Sequence, residues 1–523
     1  MSASPPHDTA PPRDAFSPGR AHGRWILALV LAGAALRLAY VARPLDHRLR
    51  APWRQSDSFQ IARNFAREDP NFLHPRIDWR GDTPGLVEME APIVPWIGGM
   101  LFRVFGVHAE ILRGLSCVAE LLSLLLFAFL ARRLLPPTGA VLALAAFVLN
   151  PLLIDLATAL QPEPLMLLLA LASVVCLELW LAGRGDLWLL LSGATLGGSI
   201  LAKAPSACLG ILLAYVVLRR RGLGALRQPA VWAAAALALV PPALWYAHAK
   251  RFYVLYGNSL GLSNEYPFLG VDMIFPPRFL IGLFKWETLG VVTPLGWLLV
   301  VASWSAPWRV LERPLVWYSS VVVFLIAGAR TTADDWAFYY HGLAVAPACL
   351  LIGMGFVALS QAWPAVAKTS AAATLVCLTA AAVYLLHARD NRSDLEAMRR
   401  CGLQFVAHIP ADGRIVTRGG QLRDDDGMPV AHNESMLFAW LDRRGFTYGN
   451  EELSFDTLER IRARGGRYWI AQPEETARKF MAQARGRYTE IDSCPDGYAL
   501  LDLTTPPTGP SQAASPAQPE TRP

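Results

Sequence analysis

The sequence predicts an α-helical membrane protein that crosses the bilayer many times and carries a small α/β domain towards its C-terminus. Hydrophobic residues make up 53% of the chain and charged residues 17%, whereas a soluble domain carries about a quarter charged residues. Apolar stretches of about 20 residues, the length that spans a bilayer, recur from residue 25 to residue 386. Beyond them, helix-like and strand-like stretches alternate, as in a small α/β domain.

Changes in composition divide the chain into four parts. Residues 1–23 and 504–523 are rich in small residues and proline, which predicts a disordered cytoplasmic N-terminus and a disordered tail. Residues 24–387 form the predicted transmembrane domain, with a first outer loop at 44–91, and residues 388–503 form the α/β domain. In that domain, strands are predicted at Arg414–Thr417, Tyr468–Ala471 and Tyr498–Leu503.

About eleven transmembrane spans are predicted, together with juxtamembrane helices. The spans are 25–41, 111–130, 138–160, 165–181, 187–202, 204–218, 231–247, 289–301, 315–327, 337–359 and 369–386. Ser56–Arg67 has the pattern of an amphipathic helix at the interface, and Pro92–Phe105, broken by Gly98-Gly99, is short for a span. Arginine clusters such as Arg219-Arg220-Arg221 then fall inside, which places the N-terminus in the cytoplasm. The net charge of +6 therefore reflects topology, and no nucleic-acid partner is expected.

Acidic residues from distant parts of the chain are predicted to gather at the outer face. Asp57 lies just after the first span, and Glu88 and Glu90 lie on the returning arm of the same loop. A carboxylate beside the bilayer is costly unless a partner stabilises it, so it is a candidate for function. The other charged residues predicted at this face are Asp155, Glu163, Lys203, Asp334 and Asp335. Asp57 has two interpretations, as the cap of a helix starting near Ser58 or as a general base.

Several other candidates have a structural interpretation as well as a functional one. Lys203 could extend from a helix end to the interface, Tyr339-Tyr340 could form an aromatic belt, and His341 could be a packed histidine. Glu88 and Glu90 could be solvated loop residues. Cys401 and Cys494 are the only cysteines of the C-terminal domain. They could pair if that domain is outside the cytoplasm, and the sequence leaves this open.

The order of these motifs resembles membrane glycosyltransferases of the GT-C class. The most similar family is the bacterial branch of the dolichyl-phosphate-mannose protein mannosyltransferases, which includes the lipid A aminoarabinose transferases. The resemblance rests on Asp57, Glu88-Met89-Glu90-Ala91-Pro92, Arg113, Gln161-Pro162-Glu163, Leu201-Ala202-Lys203-Ala204-Pro205 and Phe338-Tyr339-Tyr340 before a span that contains Pro347. It covers residues 25–390.

The resemblance implies sugar transfer from a polyprenyl-phosphate donor to an envelope lipid, glycan or protein, at the periplasmic face of a bacterial inner membrane. Asp57 would be the catalytic base. Glu163 would be a second catalytic residue, with Asp155 as the alternative to Glu163. The implied substrate-binding residues are Arg54, Glu88, Glu90, Lys203, Tyr339, Tyr340 and His341. Ala91 replaces the lysine of the Glu-Lys-Pro element of some relatives. Other cations must then hold the phosphate, and the candidates are Arg54, Lys203, Arg278 and Lys285.

No cofactor is required by this chemistry, although Asp57 and Glu163 could bind a divalent metal. The expected partners are the donor, an unidentified acceptor and the bilayer, and the protein is expected to be a monomer. A transporter or flippase of a lipid-linked sugar is the alternative, and a non-catalytic envelope-assembly partner is a third. The sequence has no internal repeat, and its acids gather at one face rather than at mid-membrane, which favours the enzyme.

Overall fold

The computed structural model describes residues 20–42, 52–263, 275–328, 332–333, 335–390, 393–423, 427, 435–476 and 479–504. The chain divides into two compact units. The first comprises Met1–Ile77, Leu86–Arg392 and Met428–Val430, and the second comprises Asp78–Gly85, Ser393–Gly427 and Ala431–Pro523. Eight residues from the middle of the first loop, Asp78–Gly85, therefore belong to the same unit as the C-terminal sheet.

The first unit is mainly helical in its described part. Its α-helices are α1 (Arg20–Val41), α2 (Pro52–Arg67), α3 (Ile93–Phe105), α4 (Ala109–Leu134), α5 (Pro137–Leu149), α6 (Pro151–Leu156), α7 (Glu163–Leu181), α8 (Leu187–Ala202), α9 (Leu209–Arg221), α10 (Pro229–Tyr256), α11 (Pro277–Trp286), α12 (Gly296–Ala302), α13 (Trp308–Ala327), α14 (Gly342–Ala362) and α15 (Pro364–Asp390). Seven segments are long and apolar enough to cross a membrane: α1, α4, α7, α10, α13, α14 with the turn before it, and α15. The helices α3, α5 and α8 are apolar but shorter.

One predicted span, 289–301, differs from a straight helix. Here α11 continues into the π turn Glu287–Val292, and the chain then bends by 90° into α12. The bend falls at Thr293, whose φ is +72°, immediately before Pro294. Proline cannot donate the helical hydrogen bond, so it ends the helix. If this bent pair counts as one span, the described residues hold eight.

The helix α2 also differs from the prediction. It starts at Pro52, so Asp57 lies within the helix and does not cap it. Its polar side chains are not solvated at an interface, because Arg54, Asp57 and Gln60 are all buried. The observed α2 is therefore part of the packed interior of the first unit.

Two glycines allow α3 to pack closely against its neighbours. A Cβ atom on Gly99 would lie 2.6 Å from Cβ of Phe65 and 2.7 Å from the carbonyl oxygen of Ala62, both on α2. A Cβ atom on Gly98 would lie 2.2 Å from a methyl group of Leu112 on α4. The glycine pair that interrupts the apolar stretch in the sequence thus lets two helices approach backbone to backbone.

A set of ion pairs lies at the end of the helical bundle where α7 finishes. Glu178 near the end of α7 accepts a hydrogen bond from Nε of Arg133 at 3.3 Å and contacts Arg313 at the start of α13. Arg221 at the end of α9 contacts Asp186, which precedes α8, at 2.6 Å. The arginines that the sequence placed on the inner side thus meet at one end of the bundle.

The second unit contains a five-stranded mixed sheet in the order β2-β1-β3-β5-β4. The strands are β1 (Ile415–Gly420), β2 (Gly445–Gly449), β3 (Tyr468–Ala471), β4 (Thr489–Ser493) and β5 (Ala499–Asp502). The helices are α16 (Ser393–Phe405), α17 (Met436–Leu441), α18 (Phe455–Ala463), α19 (Pro473–Thr476) and α20 (Lys479–Arg485). β1 pairs in parallel with β2 and β3, and β5 pairs antiparallel with β3 and β4. The small α/β domain is confirmed, with two strands, β2 and β4, that the sequence did not predict.

Two features tie the second unit together. Cys401 and Cys494 form a disulfide bond, with their Cα atoms 5.6 Å apart. In the loop segment, the amide of Gly81 donates to the carbonyl of Gly445 at 2.7 Å, and the guanidinium of Arg464 contacts both carboxylate oxygens of Asp82. The hydrogen bond from Arg464 is the main reason that the pKa of Asp82 lies below its usual value.

Candidate functional site

Four separate parts of the first unit contribute side chains to one buried cluster. The helix α7 begins at Glu163, and Lys203 immediately follows the end of α8. The turn Asp335–His341 precedes α14 and carries two tyrosines. The fourth part is α2 with the returning arm of the first loop. Helix ends are suitable places for such a cluster, since their polar backbone groups already need partners other than lipid.

Arg54 on α2 forms a buried ion pair with Glu90 of the returning arm. Both side chains are less than a tenth exposed. Burial alone raises the pKa of the Glu90 carboxyl, but the charges of Arg54 and Lys203 outweigh it and hold the pKa below its usual value. Glu90 is thus a carboxylate at neutral pH and not a solvated loop residue.

Lys203 forms a second buried ion pair, with Glu163. Its ammonium nitrogen also lies 4.3 Å from the ring centre of Tyr339 and 4.6 Å from that of Tyr340. Both distances are typical of cation–π contacts, which strengthen when the cation is removed from water. The tyrosines therefore pack around the lysine and do not form a belt facing lipid headgroups, since Tyr339 is 3% exposed.

Asp57 is 1% exposed and lies three residues after Arg54 on α2. Residues three apart share a helix face, so the carboxylate and the guanidinium point to the same side. The neighbouring Gln55 accepts a hydrogen bond from the amide of Leu160 at 2.8 Å, in the turn just before α7. This bond holds α2 beside the segment that carries Glu163.

Two carboxylates and two cations meet in this region: Glu90 and Glu163 with Arg54 and Lys203. Asp57 lies three residues from Arg54 on α2. Each cation already contacts a carboxylate. Any anion that binds here must therefore share or displace a carboxylate partner to gain either cation. Arg278 and Lys285, the other cations considered, lie on α11, where the ammonium of Lys285 is 5.0 Å from the ring centre of Trp286.

Glu88 is directed to a different part of the first unit. Its two carboxylate oxygens accept hydrogen bonds from the hydroxyls of Ser259 at 2.7 Å and Ser263 at 2.9 Å, and the ammonium of Lys250 is 4.0 Å away. These contacts fasten the first loop to the segment after α10. Asp155, the substitute acid, is buried in α6. Asp334 and the side chain of Asp335 lie outside the described part of the chain.

His341 has both ring nitrogens engaged by protein. Nδ1 lies 2.6 Å from a carboxylate oxygen of Glu287, and Nε2 lies 2.8 Å from the carbonyl oxygen of Thr332. The other oxygen of Glu287 accepts a hydrogen bond from the hydroxyl of Tyr318 at 2.6 Å. Sequence reasoning did not select Glu287; the signal was an acid directly before an apolar stretch. In this arrangement His341 offers no ring nitrogen to a substrate.

A metal site at Asp57 and Glu163 remains a prediction. Among the described residues, three potential ligand atoms within 4.8 Å of one another occur only at Cys401, Cys494 and Asp496. The two sulfur atoms there are joined in the disulfide bond, so that group is not a metal site.

The fold is similar to that of membrane glycosyltransferases of the GT-C class, and part of the chain matches one family model. Residues 89–246 match the family model for dolichyl-phosphate-mannose-protein mannosyltransferases. The matched stretch runs from the returning arm of the first loop to α10 and contains Glu90, Glu163 and Lys203. A comparison with curated protein sequences gives no match.

Several solved structures are similar in fold over nearly the whole chain. ArnT from Cupriavidus metallidurans in the apo state superposes with a TM-score of 0.63 at 13% identity, covering 92% of this chain and 98% of that one. The structure of ArnT bound to undecaprenyl phosphate gives 0.56 at 16% identity, covering 93% and 99%. Arabinofuranosyltransferase AftD from Mycobacteria gives 0.52 at 14% identity, covering 94% of this chain and 40% of AftD. At these identities the likeness concerns the fold, and it confirms the GT-C architecture that the motifs predicted.

Proposed function

We propose that the protein transfers a sugar from a polyprenyl-phosphate donor to an acceptor of the cell envelope at the periplasmic face of the inner membrane. The observation that carries the proposal is the buried cluster in which Asp57 shares a helix face with Arg54, beside Glu90, Glu163 and Lys203. A similar fold has been solved with undecaprenyl phosphate bound, in ArnT. This supports a donor of the polyprenyl-phosphate type.

In the proposed reaction, Asp57 accepts the proton of the acceptor hydroxyl as its oxygen attacks the anomeric carbon of the sugar. The bond between that carbon and the phosphate oxygen breaks, and polyprenyl phosphate leaves with one more negative charge. Lys203 and Arg54 are placed to stabilise that charge. Glu163 and Glu90 hold these two cations in position until the phosphate arrives.

Two observations support a periplasmic location, one for the cluster and one for the second unit. The arginine-rich ion pairs lie at the end of α7 opposite to Glu163, and positively charged residues favour the cytoplasmic side. The disulfide bond of the second unit is of a kind that persists in oxidising compartments such as the periplasm.

Transport of a lipid-linked sugar is the second candidate function. The 90° bend between α11 and α12 is a broken helix, a feature that transporters use to form their binding sites. Glu90 and Glu163, by contrast, lie in a loop and at a helix start rather than within a span, which favours the enzyme. A single assay separates the two candidates.

The test is a transfer assay on the full chain in lipid nanodiscs, with a labelled polyprenyl-phosphate sugar and an envelope extract as acceptor. Asp57→Asn is expected to lower kcat by about 100-fold or more, since general bases contribute about 10²–10⁴-fold. Asp69→Asn is the matched control, because Asp69 lies in the same loop but contacts His74 and Arg76. Equal rates for wild type and Asp57→Asn would remove Asp57 from the mechanism. No transfer from any donor, with movement of labelled lipid across vesicles, would favour the transporter.

A further inference from the structure

Glu287 is a buried carboxylate that lies outside the cluster described above. It is 4% exposed and begins the π turn at which α11 leads into the 90° bend. Its two oxygens face two other segments, since one lies 2.6 Å from Nδ1 of His341 and the other accepts the hydroxyl of Tyr318 on α13. A single side chain therefore joins the bend, α13 and the start of α14.

The contact between Glu287 and His341 requires a proton. Nε2 of His341 faces the carbonyl oxygen of Thr332, which only accepts hydrogen bonds, so Nε2 carries a hydrogen. Nδ1 faces the carboxylate of Glu287, and two lone pairs would repel each other at 2.6 Å. A further proton must lie between them, so the two residues act as one hydrogen-bonded unit that is stronger than a neutral pair.

This unit is adjacent in the chain to the aromatic residues that hold Lys203. His341 ends the turn that carries Tyr339 and Tyr340, whose rings lie 4.3 Å and 4.6 Å from the Lys203 ammonium. Asn150 adds a second tie, because its amide donates to the carbonyl of Gly290 in the π turn at 3.1 Å. The position of the tyrosines thus depends on how His341 is anchored.

We propose that Glu287 is a positioning residue for the transfer reaction. It holds His341, and through the chain Tyr339-Tyr340, so that Lys203 meets the departing phosphate in the correct place. This inference rests on the proposed function. Lys203 acts on charge that develops as the phosphate leaves, so its misplacement lowers kcat more than it changes the KM for the donor.

A purely structural role for Glu287 is the competing explanation, and the chain offers a matched control. Glu312 at the start of α13 also accepts a tyrosine hydroxyl, from Tyr215 at 3.0 Å, and contacts Arg219 at 3.5 Å. It lies among the arginines at the other end of the bundle. Replacement of either glutamate by glutamine removes a charge from an acid–tyrosine contact, but of the two only Glu287 contacts the turn that carries Tyr339 and Tyr340.

The experiment measures kcat and KM for Glu287→Gln, His341→Gln, the double variant and Glu312→Gln, each as the full chain in nanodiscs. We expect Glu287→Gln to lower kcat by about 10- to 100-fold, the range that a small misplacement of a catalytic group produces, with KM changed less than about threefold. The double variant should be no slower than the slower single variant, because the two residues form one unit. Glu312→Gln should keep kcat within about twofold of wild type.

Hydrogen exchange over residues 337–345 gives a readout that does not depend on activity. Glu287→Gln should increase exchange there, and Glu312→Gln should not. A kcat for Glu287→Gln within twofold of wild type, or losses that multiply in the double variant, would overturn the inference. If wild type transfers no sugar, the proposed function fails, and the exchange measurement decides the inference alone: unchanged exchange would overturn it.

Discussion

Arg54 and Glu90 form a pair in which each residue makes burial of the other tolerable. Removal of one partner leaves a charge inside the protein, which costs about 3–5 kcal/mol, whereas replacement of both by apolar residues is often neutral for stability. We therefore expect Glu90→Ala to destabilise the first unit by about 3 kcal/mol or more. Arg54→Met with Glu90→Leu should restore most of that stability but give no transfer. Thermal unfolding in detergent and the transfer assay measure the two effects.

The pH dependence of unfolding is a second test of the ion pair between Arg54 and Glu90. A carboxyl whose pKa is lowered by folding contributes stability above its unfolded pKa of about 4.3, and the contribution is lost as the pH falls through the lower, folded pKa. Wild type should therefore lose stability below about pH 4 more steeply than the double variant. A double variant that unfolds like Glu90→Ala, or that still transfers sugar, would show that the ion pair between Arg54 and Glu90 does not serve phosphate binding.

The close contact between α2 and α3 fixes the position of α2 and therefore of Asp57. A methyl group on Gly99 would meet backbone and Cβ atoms of α2 at 2.6–2.7 Å, which forces the helices apart. Gly99→Ala should lower kcat by about 10-fold or more, because a shift of about 1 Å in a catalytic group is enough to do so. The transfer assay and thermal unfolding are the measurements.

Gly114 provides the control for that substitution. It lies within α4, and a Cβ atom there would have no neighbour within 4 Å. Gly114→Ala should therefore keep wild-type kcat and gain up to about 1 kcal/mol of helix propensity. If the two alanine variants behave alike, the close approach of α2 and α3 does not position the site.

The disulfide bond makes a prediction for the whole molecule. Cys401 and Cys494 are 93 residues apart, and a cross-link of that length stabilises a fold by about 4.6 kcal/mol in the chain-entropy description. Native protein should present five alkylatable thiols after denaturation without reductant, as counted by mass spectrometry. Cys401→Ser with Cys494→Ser should destabilise the second unit by about 2–4 kcal/mol. Cys377→Ser, at a free cysteine, should have little effect. Seven free thiols in mature protein would contradict this arrangement.

The elements that depend on local pattern were predictable, and those that depend on neighbours were not. The strand Tyr468–Ala471 was predicted with its observed bounds, and the structure places it in the middle of the sheet. The two strands that the sequence missed, β2 and β4, are the edge strands. An edge strand pairs with a neighbouring strand on one side only, so it can form without a strongly apolar sequence. The edge strand β4 (Thr489–Ser493) is mostly polar.

The sequence by itself predicted that the chain spans a membrane, that its arginines gather on one side, and that acids collect on the other. These properties follow from the length and hydropathy of continuous stretches, which need no knowledge of their neighbours. Tertiary structure decided which charges meet: Arg54 with Glu90, Lys203 with Glu163, and Glu287 with His341. Each pair joins residues more than 30 positions apart, so only the packing of helix ends could select it.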